Sequence, residues 1–260
     1  MTKTALKSFA SAAVALLSVF SSAGCRSEAP EKAAPAGWPE DLRNFSIVWT
    51  GEPGIDLVAG PAVPVRAYLE SFVLGELTGD EKYLYPGFTD AVEDKWRPSG
   101  SGGQPWVGTE TNHLLSLEHS GDDVTAIGCM YTYNAASPHG DDEYEAQAVP
   151  PGTPEAGIIA FKVTLSAPPE SSGPGAPQHG PARAPFDDVF GGYKVTGYYG
   201  GYFSAKGANP IWPEYQQATA DCIAKAPDPL ERRKFLSQNY LSRSEFQTLP
   251  AAPGWPAKTG

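Results

Sequence analysis

Pro61-Ala-Val-Pro-Val-Arg-Ala-Tyr-Leu-Glu-Ser-Phe-Val-Leu-Gly-Glu-Leu-Thr-Gly79 is the stretch on which the fold turns. Val65, Tyr68, Leu69, Phe72, Val73 and Leu77 recur at helical spacing, which predicts a helix with a wide apolar stripe. Pro61 and Pro64 suit its first turn, Gly79 lies just past its end, and Arg66 faces Glu70 one turn on. A stripe this wide needs a large flat surface to cover it. That surface is predicted further along the chain, where the period of the apolar residues changes from helical to alternating.

Asp80–Trp96 continues with Leu84, Phe88 and Val92 as a helix broken by Pro86-Gly87. Thr111–His119 and Val124–Tyr133 then read as two strands joined across Ser120-Gly121-Asp122-Asp123. In Gly157–Leu165, Ile159, Phe161, Val163 and Leu165 share one face, and Tyr193–Ser204 alternates likewise. Phe45, Ile47 and Trp49 mark a shorter strand ahead of the helix, while Pro213–Ala226 and Asp228–Tyr240 read as helices near the end. The class is therefore α+β: N-terminal helices packed on a curved antiparallel sheet, followed by a C-terminal helix.

The rest of the composition fits around that core. The chain has 260 residues, 41% hydrophobic, with 28 Gly and 26 Pro, a share that excludes a mostly helical bundle. Three loops are long enough to read as disordered: 97–108, the acidic and Pro-rich 134–156, and 166–185, which holds six Pro and three Gly. The globular domain is placed at 37–245, with a Pro-rich tail over 246–260. A net charge of −11 with no cluster of Lys and Arg argues against a nucleic-acid partner.

The first residues supply an address. Lys3 and Lys7 precede a small, apolar run over Ser8–Phe20, too short to span a bilayer and suited to a signal peptide over 1–24. Ser22-Ala23-Gly24-Cys25 resembles the lipobox of bacterial lipoproteins, although the family usually has Leu where this chain has Ser22. The resemblance implies a diacylglyceryl Cys25 as the new N-terminus, anchored to the outer face of the cell membrane. Residues 25–36 would be a flexible tether, and the mature chain would carry a charge of about −13. The alternative is an ordinary signal peptide cut near Ala23, with Cys25 an incidental thiol. If Cys25 is lipidated, Cys129 and Cys222 are left as a pair in an oxidising compartment, either as a disulfide or as two buried thiols.

Two further resemblances follow from these features. The signal, the lipobox, the acidic Pro/Ala/Gly-rich body and the tail motif Pro253-Gly254-Trp255-Pro256 resemble cell-envelope lipoproteins of actinobacteria, of the mycobacterial type, many of them of unknown function. The order helix, broken helix, curved sheet over about 61–204 resembles the NTF2-like (SnoaL-like) cone.

Candidate chemistry is sparse. No nucleophile elbow, zincin, Walker or Rossmann motif is present. Asp141, Asp142, Glu143 and Glu145 read as a solvated acidic loop, and neither a metal nor a cofactor is expected. His113 and His119, six residues apart on one strand, should point to one face, where either could act as a general base with Asp90 or Glu93. Tyr193, Tyr198, Tyr199 and Tyr202 fall on both faces of one strand, so that some line either a pocket or the underside of loops. These features lead to a non-catalytic ligand-binding or protein-interaction module of the envelope, taking a protein, lipid or glycan. The alternatives are a small cone enzyme, isomerase or hydrolase-like, using a His/carboxylate pair, and an envelope factor that modulates a transporter or a phage component.

Overall fold

The computed structural model describes residues 37–100, 102–103, 105–169, 176–200 and 212–258, all within a compact unit that runs from Ala34 to Gly260. Residues 1–36, where the signal peptide, Cys25 and the tether are expected, lie outside the described residues, as does Tyr202. Strand β1 (Phe45–Gly51) precedes helix α1 (Ala62–Thr78). Two single turns of 3-10 helix and the short α2 (Phe88–Ala91) carry the chain to β2 (Val107–Ser120). There follow β3 (Asp123–Tyr131), β4 (Ala135–Pro138), β5 (Glu143–Ala146), β6 (Ile158–Ser166), β7 (Lys194–Gly200), α3 (Tyr215–Ala224), α4 (Leu230–Ser237) and the two-residue β8 (Leu241–Ser242).

The eight strands form one sheet in the order β7-β6-β3-β2-β4-β5-β8, with β1 paired to β2. Pairing is antiparallel except for β1, which runs parallel to β2 with Phe45 opposite Gly108 and Thr50 opposite His113. Strand β4 carries on the line of β3 along β2 and then turns away to pair with β5. Both ends of the β7-to-β1 run are covered by backbone: Val92 bridges to Val195 on β7, and Ala252 to Val48 on β1. Each bridge interrupts a row of backbone groups that would otherwise invite pairing with another chain.

The alternation along the strands sends side chains into two cores, one on each face. Ile47, Trp49, Leu114, Ala126, Met130, Phe161, Val163 and Val195 pack under α1. Cys129, Tyr131, Ile158 and Ala160 pack under α3 and α4 with Trp212, Leu236 and Phe246. The Cys129–Cys222 disulfide ties β3 to α3 on the second face, across 93 positions of sequence. The expected α+β arrangement, with helices on the sheet and a C-terminal helix stapled to it, is the one found.

Helix α1 departs from the expected stripe, because it is buried all round, from Ala62 to Gly75. Arg66 and Glu70, which the sequence places on a polar face, are 0% and 4% exposed. The Glu70 carboxylate accepts from Trp49 Nε1 (2.8 Å), Tyr85 Oη (2.8 Å) and Trp255 Nε1 (2.6 Å), and Arg66 Nε lies 3.8 Å away. The Arg66 guanidinium donates to the carbonyls of Leu57, Gln178 and Gly254 and sits 4.4 Å from the Trp255 ring. Burial pushes the Glu70 carboxyl up and the Arg66 guanidinium down; each charge pulls the other back, and the hydrogen bonds from Trp255, Tyr85 and Trp49 add to this for Glu70.

Regions expected to be loose carry regular structure or fixed contacts, and the polar hub holds two of them, the tail and the described part of 166–185. The described part of the tail, 246–258, joins the core, with Phe246 and Trp255 fully buried, so the packed structure does not end at 245. Segment 134–156 carries β4 and β5. In 97–108, the N–H groups of Ser99 and Gly100 donate to Glu76 at the end of α1. The described part of 166–185 is bound to Arg66 through Gln178 and to Trp255 through Ala182. Trp255→Ala is expected to cost about 3–5 kcal/mol of stability as a buried large-to-small change. Glu70→Ala should cost about 3–5 kcal/mol by leaving Arg66 buried without its acid. Urea unfolding measures both, and the double variant should fall short of their sum, because the two residues share one network.

Candidate functional site

Four polar side chains converge on the α3 face of the β1–β2 pair. Thr50 and Glu52 are two residues apart on and just beyond β1, a spacing that aims both to one face. His113 lies directly opposite Thr50 in the parallel register, and opposite Cys129 on its other side. Its Nδ1 is 2.8 Å from Thr50 Oγ1, and its Nε2 is 3.0 Å from Glu52 Oε1. Lys225, at the C-cap of α3, completes the group with Nζ 2.6 Å from the same Glu52 oxygen.

The disulfide sets this geometry. Cys222 is fixed to Cys129, whose register partner is His113, and Lys225 lies just under one helical turn beyond Cys222. The lysine beside it, and then His113, hold the Glu52 carboxyl below the ordinary carboxylate range. An ionised Glu52 only accepts, so His113 Nε2 donates to it; in the neutral imidazole, that tautomer leaves Nδ1 to accept from the Thr50 hydroxyl. The arrangement could relay a proton between Thr50 and Glu52. His113 is largely shielded and Glu52 is partly so, at 15% and 29% side-chain exposure, but Thr50 is open to solvent. The surface hollows around Trp38, Tyr83 and Arg97 are lined by other residues.

The other candidates are dispersed. His119 is opposite Val124, which belongs to the α1 face, whereas His113 belongs to the α3 face. The expected shared face fails because the β2–β3 register shifts between Leu114 and Ser116, and a bulge of one residue reverses the alternation beyond it. Asp90 is exposed on α2, where its carbonyl accepts from Lys194, and Glu93 pairs with Lys95. Neither is among the partners of His113 that the structure records, and Glu52 supplies the carboxylate. Tyr198 is buried edge-on against Tyr68 and Phe72 under α1. Tyr199 goes to the opposite face, 4.9 Å from Lys162 Nζ, and Tyr193 is half-buried against the α1 core. Asp141, Asp142, Glu143 and Glu145 lie in the exposed β4–β5 hairpin, with His139 stacked on Tyr240 at 3.6 Å. Among the described residues, no group of three or more His, Cys, Asp or Glu side chains is placed to hold a metal.

Sequence reading missed Thr50, Glu52 and Lys225. A signal for the first two was present in the alternation of Thr50 and Glu52 directly after Phe45, Ile47 and Trp49. Nothing local marked Lys225, whose place depends on a bond to a residue 93 positions before Cys222. No family model, no curated protein and no solved structure matches this chain.

The depressed Glu52 carboxyl gives its contact a defined pH range. A lowered folded-state pKa stabilises above the unfolded value, and that contribution is lost as pH falls through the folded one. Wild type should therefore melt above Glu52→Gln at neutral pH, and the gap should close as the pH drops below the ordinary value of 4.5. Thermal melts across that range measure it. Cys222→Ser should cost about 4–5 kcal/mol in the chain-entropy account. It should also raise hydrogen exchange over 215–225 more than over β6.

Proposed function

We propose that the chain is an extracytoplasmic protein anchored by a lipid on Cys25, and that its globule is a non-catalytic interaction module of the cell envelope. The observation that carries this is the use made of the aromatic strand. Tyr198, the ring best placed to face an internal ligand, is spent on packing against Tyr68 and Phe72, so recognition falls to the surface. The Cys129–Cys222 disulfide fits an oxidising compartment. No helix among the described residues is long and apolar enough to cross a membrane, and the lipobox-like Ser22–Cys25 supplies the anchor of this reading.

A second reading is favoured by the 3.0 Å contact of His113 with Glu52: a small acid–base enzyme, isomerase or hydrolase-like, in which His113 moves a proton and Glu52 orients it. The exposure of Thr50 to solvent weighs against it.

Cys25→Ala is expected to shift the protein from membrane to soluble fractions, and unchanged retention would overturn the anchor. Cross-linking on intact cells should join the anchored protein to a discrete envelope partner, with the adduct lost in Cys25→Ala and kept in His113→Asn. Turnover of a substrate by the purified chain, abolished in His113→Asn, with no adduct on cells, would replace the module with the enzyme.

A further inference from the structure

Gly37, Trp38, Pro39, Glu40 and Arg43, among the first described residues, form one wall of an open hollow of about 310 Å³, and Ala182, Arg183, Ala184 and Phe186 form the other. Its lining is aromatic and cationic. The Trp38 ring stacks on Phe45 at 6.2 Å, and its Nε1 donates to the Leu42 carbonyl, so the indole is held in place. The Arg183 guanidinium lies 5.8 Å from the Trp38 ring and uses Nη1 to bind the carbonyls of Arg43 and Phe45. Arg43 stands at the rim with its side chain 64% exposed, and Phe186 adds a half-buried ring. Glu40, 3.3 Å from Arg43, is the acid of the lining, so two guanidinium groups face one carboxylate. In a chain with 30 acidic and 19 basic residues, that local balance runs against the whole.

Position along the chain says what such a hollow meets. Gly37 is twelve positions after Cys25, a length that spans at most about 40 Å when fully extended. A membrane that holds Cys25 is therefore never farther than this from the hollow. We propose that the hollow is a membrane-facing site for the headgroup of an anionic phospholipid, with Arg43 and Arg183 taking the phosphate and Trp38 and Phe186 lying at the level of the glycerol backbone. Guanidinium groups match phosphate oxygens in charge and geometry, and tryptophan is favoured at the membrane interface. A weak site is sufficient here, because a short tether turns headgroup binding into an intramolecular event at an effective concentration in the millimolar range. This inference rests on the lipid-anchor reading, and the occupied site would fix the face that the module turns to its membrane.

The test uses the full lipidated protein on vesicles of phosphatidylcholine alone or with one third phosphatidylglycerol, both carrying lipids brominated high on the acyl chain. The Trp38 signal is taken as the difference between wild type and Trp38→Phe. Quenching of that signal should be about threefold stronger on the anionic vesicles and should fall to the phosphatidylcholine level in Arg43→Glu. Arg43 is exposed, so an unchanged melting temperature is expected to show that the variant folds. Equal quenching on both vesicles, or full quenching in Arg43→Glu, would overturn the proposal. If millimolar glycerol phosphate shifts the Trp38 emission as much as anionic vesicles do, the hollow takes a soluble anion and the lipid assignment falls. A protein that does not stay on either vesicle fails the anchor reading instead, and is distinguished by sedimentation before any quenching is read.

Discussion

The Glu70 carboxylate, buried in the middle of α1, is the constraint around which the rest of the molecule is arranged. A buried carboxylate must be matched by donors, and here the donors come from three separate parts of the chain: Trp49 on β1, Tyr85 after α1 and Trp255 near the end. Arg66, one turn earlier, gathers three more segments through the carbonyls of Leu57, Gln178 and Gly254. Replacing such a hub with apolar groups could be neutral in free energy, but removing a single member strands a charge. Its value is in specifying which loops go where, since each backbone carbonyl bound to Arg66 belongs to a stretch with no regular secondary structure.

The other face of the sheet is organised by a covalent bond instead. The Cys129–Cys222 disulfide presses α3 onto β3 and β6, and in doing so delivers Lys225 to Glu52 at the far side of β2. Strand β2 is thus held from both faces, and its neighbour β1 is fixed by Trp49 on one face and by the Thr50–His113–Glu52 contacts on the other. Gly37-Trp38-Pro39 and Gly254-Trp255-Pro256 meet the same neighbour in this arrangement. Trp38 lies under Arg183 and Trp255 pairs with Ala182, so the first and last described segments clasp the same short stretch of chain.

Much of the regular structure was readable because it is periodic. The helix over Ala62–Thr78, the hairpin of β2 and β3 and strands β6 and β7 follow from spacing and turn residues, and of the two states open to the last two cysteines the structure has the disulfide. The candidate site was readable only in part. His113 could be singled out by residue type, but its carboxylate is Glu52 rather than Asp90 or Glu93, because the parallel β1–β2 pairing joins residues 61 positions apart. His119 was lost from the site by a bulge of one residue, a feature that leaves no mark in an alternating pattern until the partner strand is known. Segment 134–156 and the tail looked loose because Gly, Pro and acidic residues hide short strands and single buried rings from any test of periodicity.

By itself the sequence determined the class of the protein and the identity of its central helix, since apolar spacing dictates which face of each element must leave water. It also carried the cysteine pair and the lipobox-like start, which depend on residue identity and order alone. Only the tertiary structure decided that α1 is buried on every side, that the tail is core, and that Thr50, His113, Glu52 and Lys225 meet. The physical reason is the same in each case. These outcomes depend on polar groups finding partners tens to hundreds of residues away, and a hydrogen bond or ion pair, unlike a hydrophobic stripe, has no period along the chain.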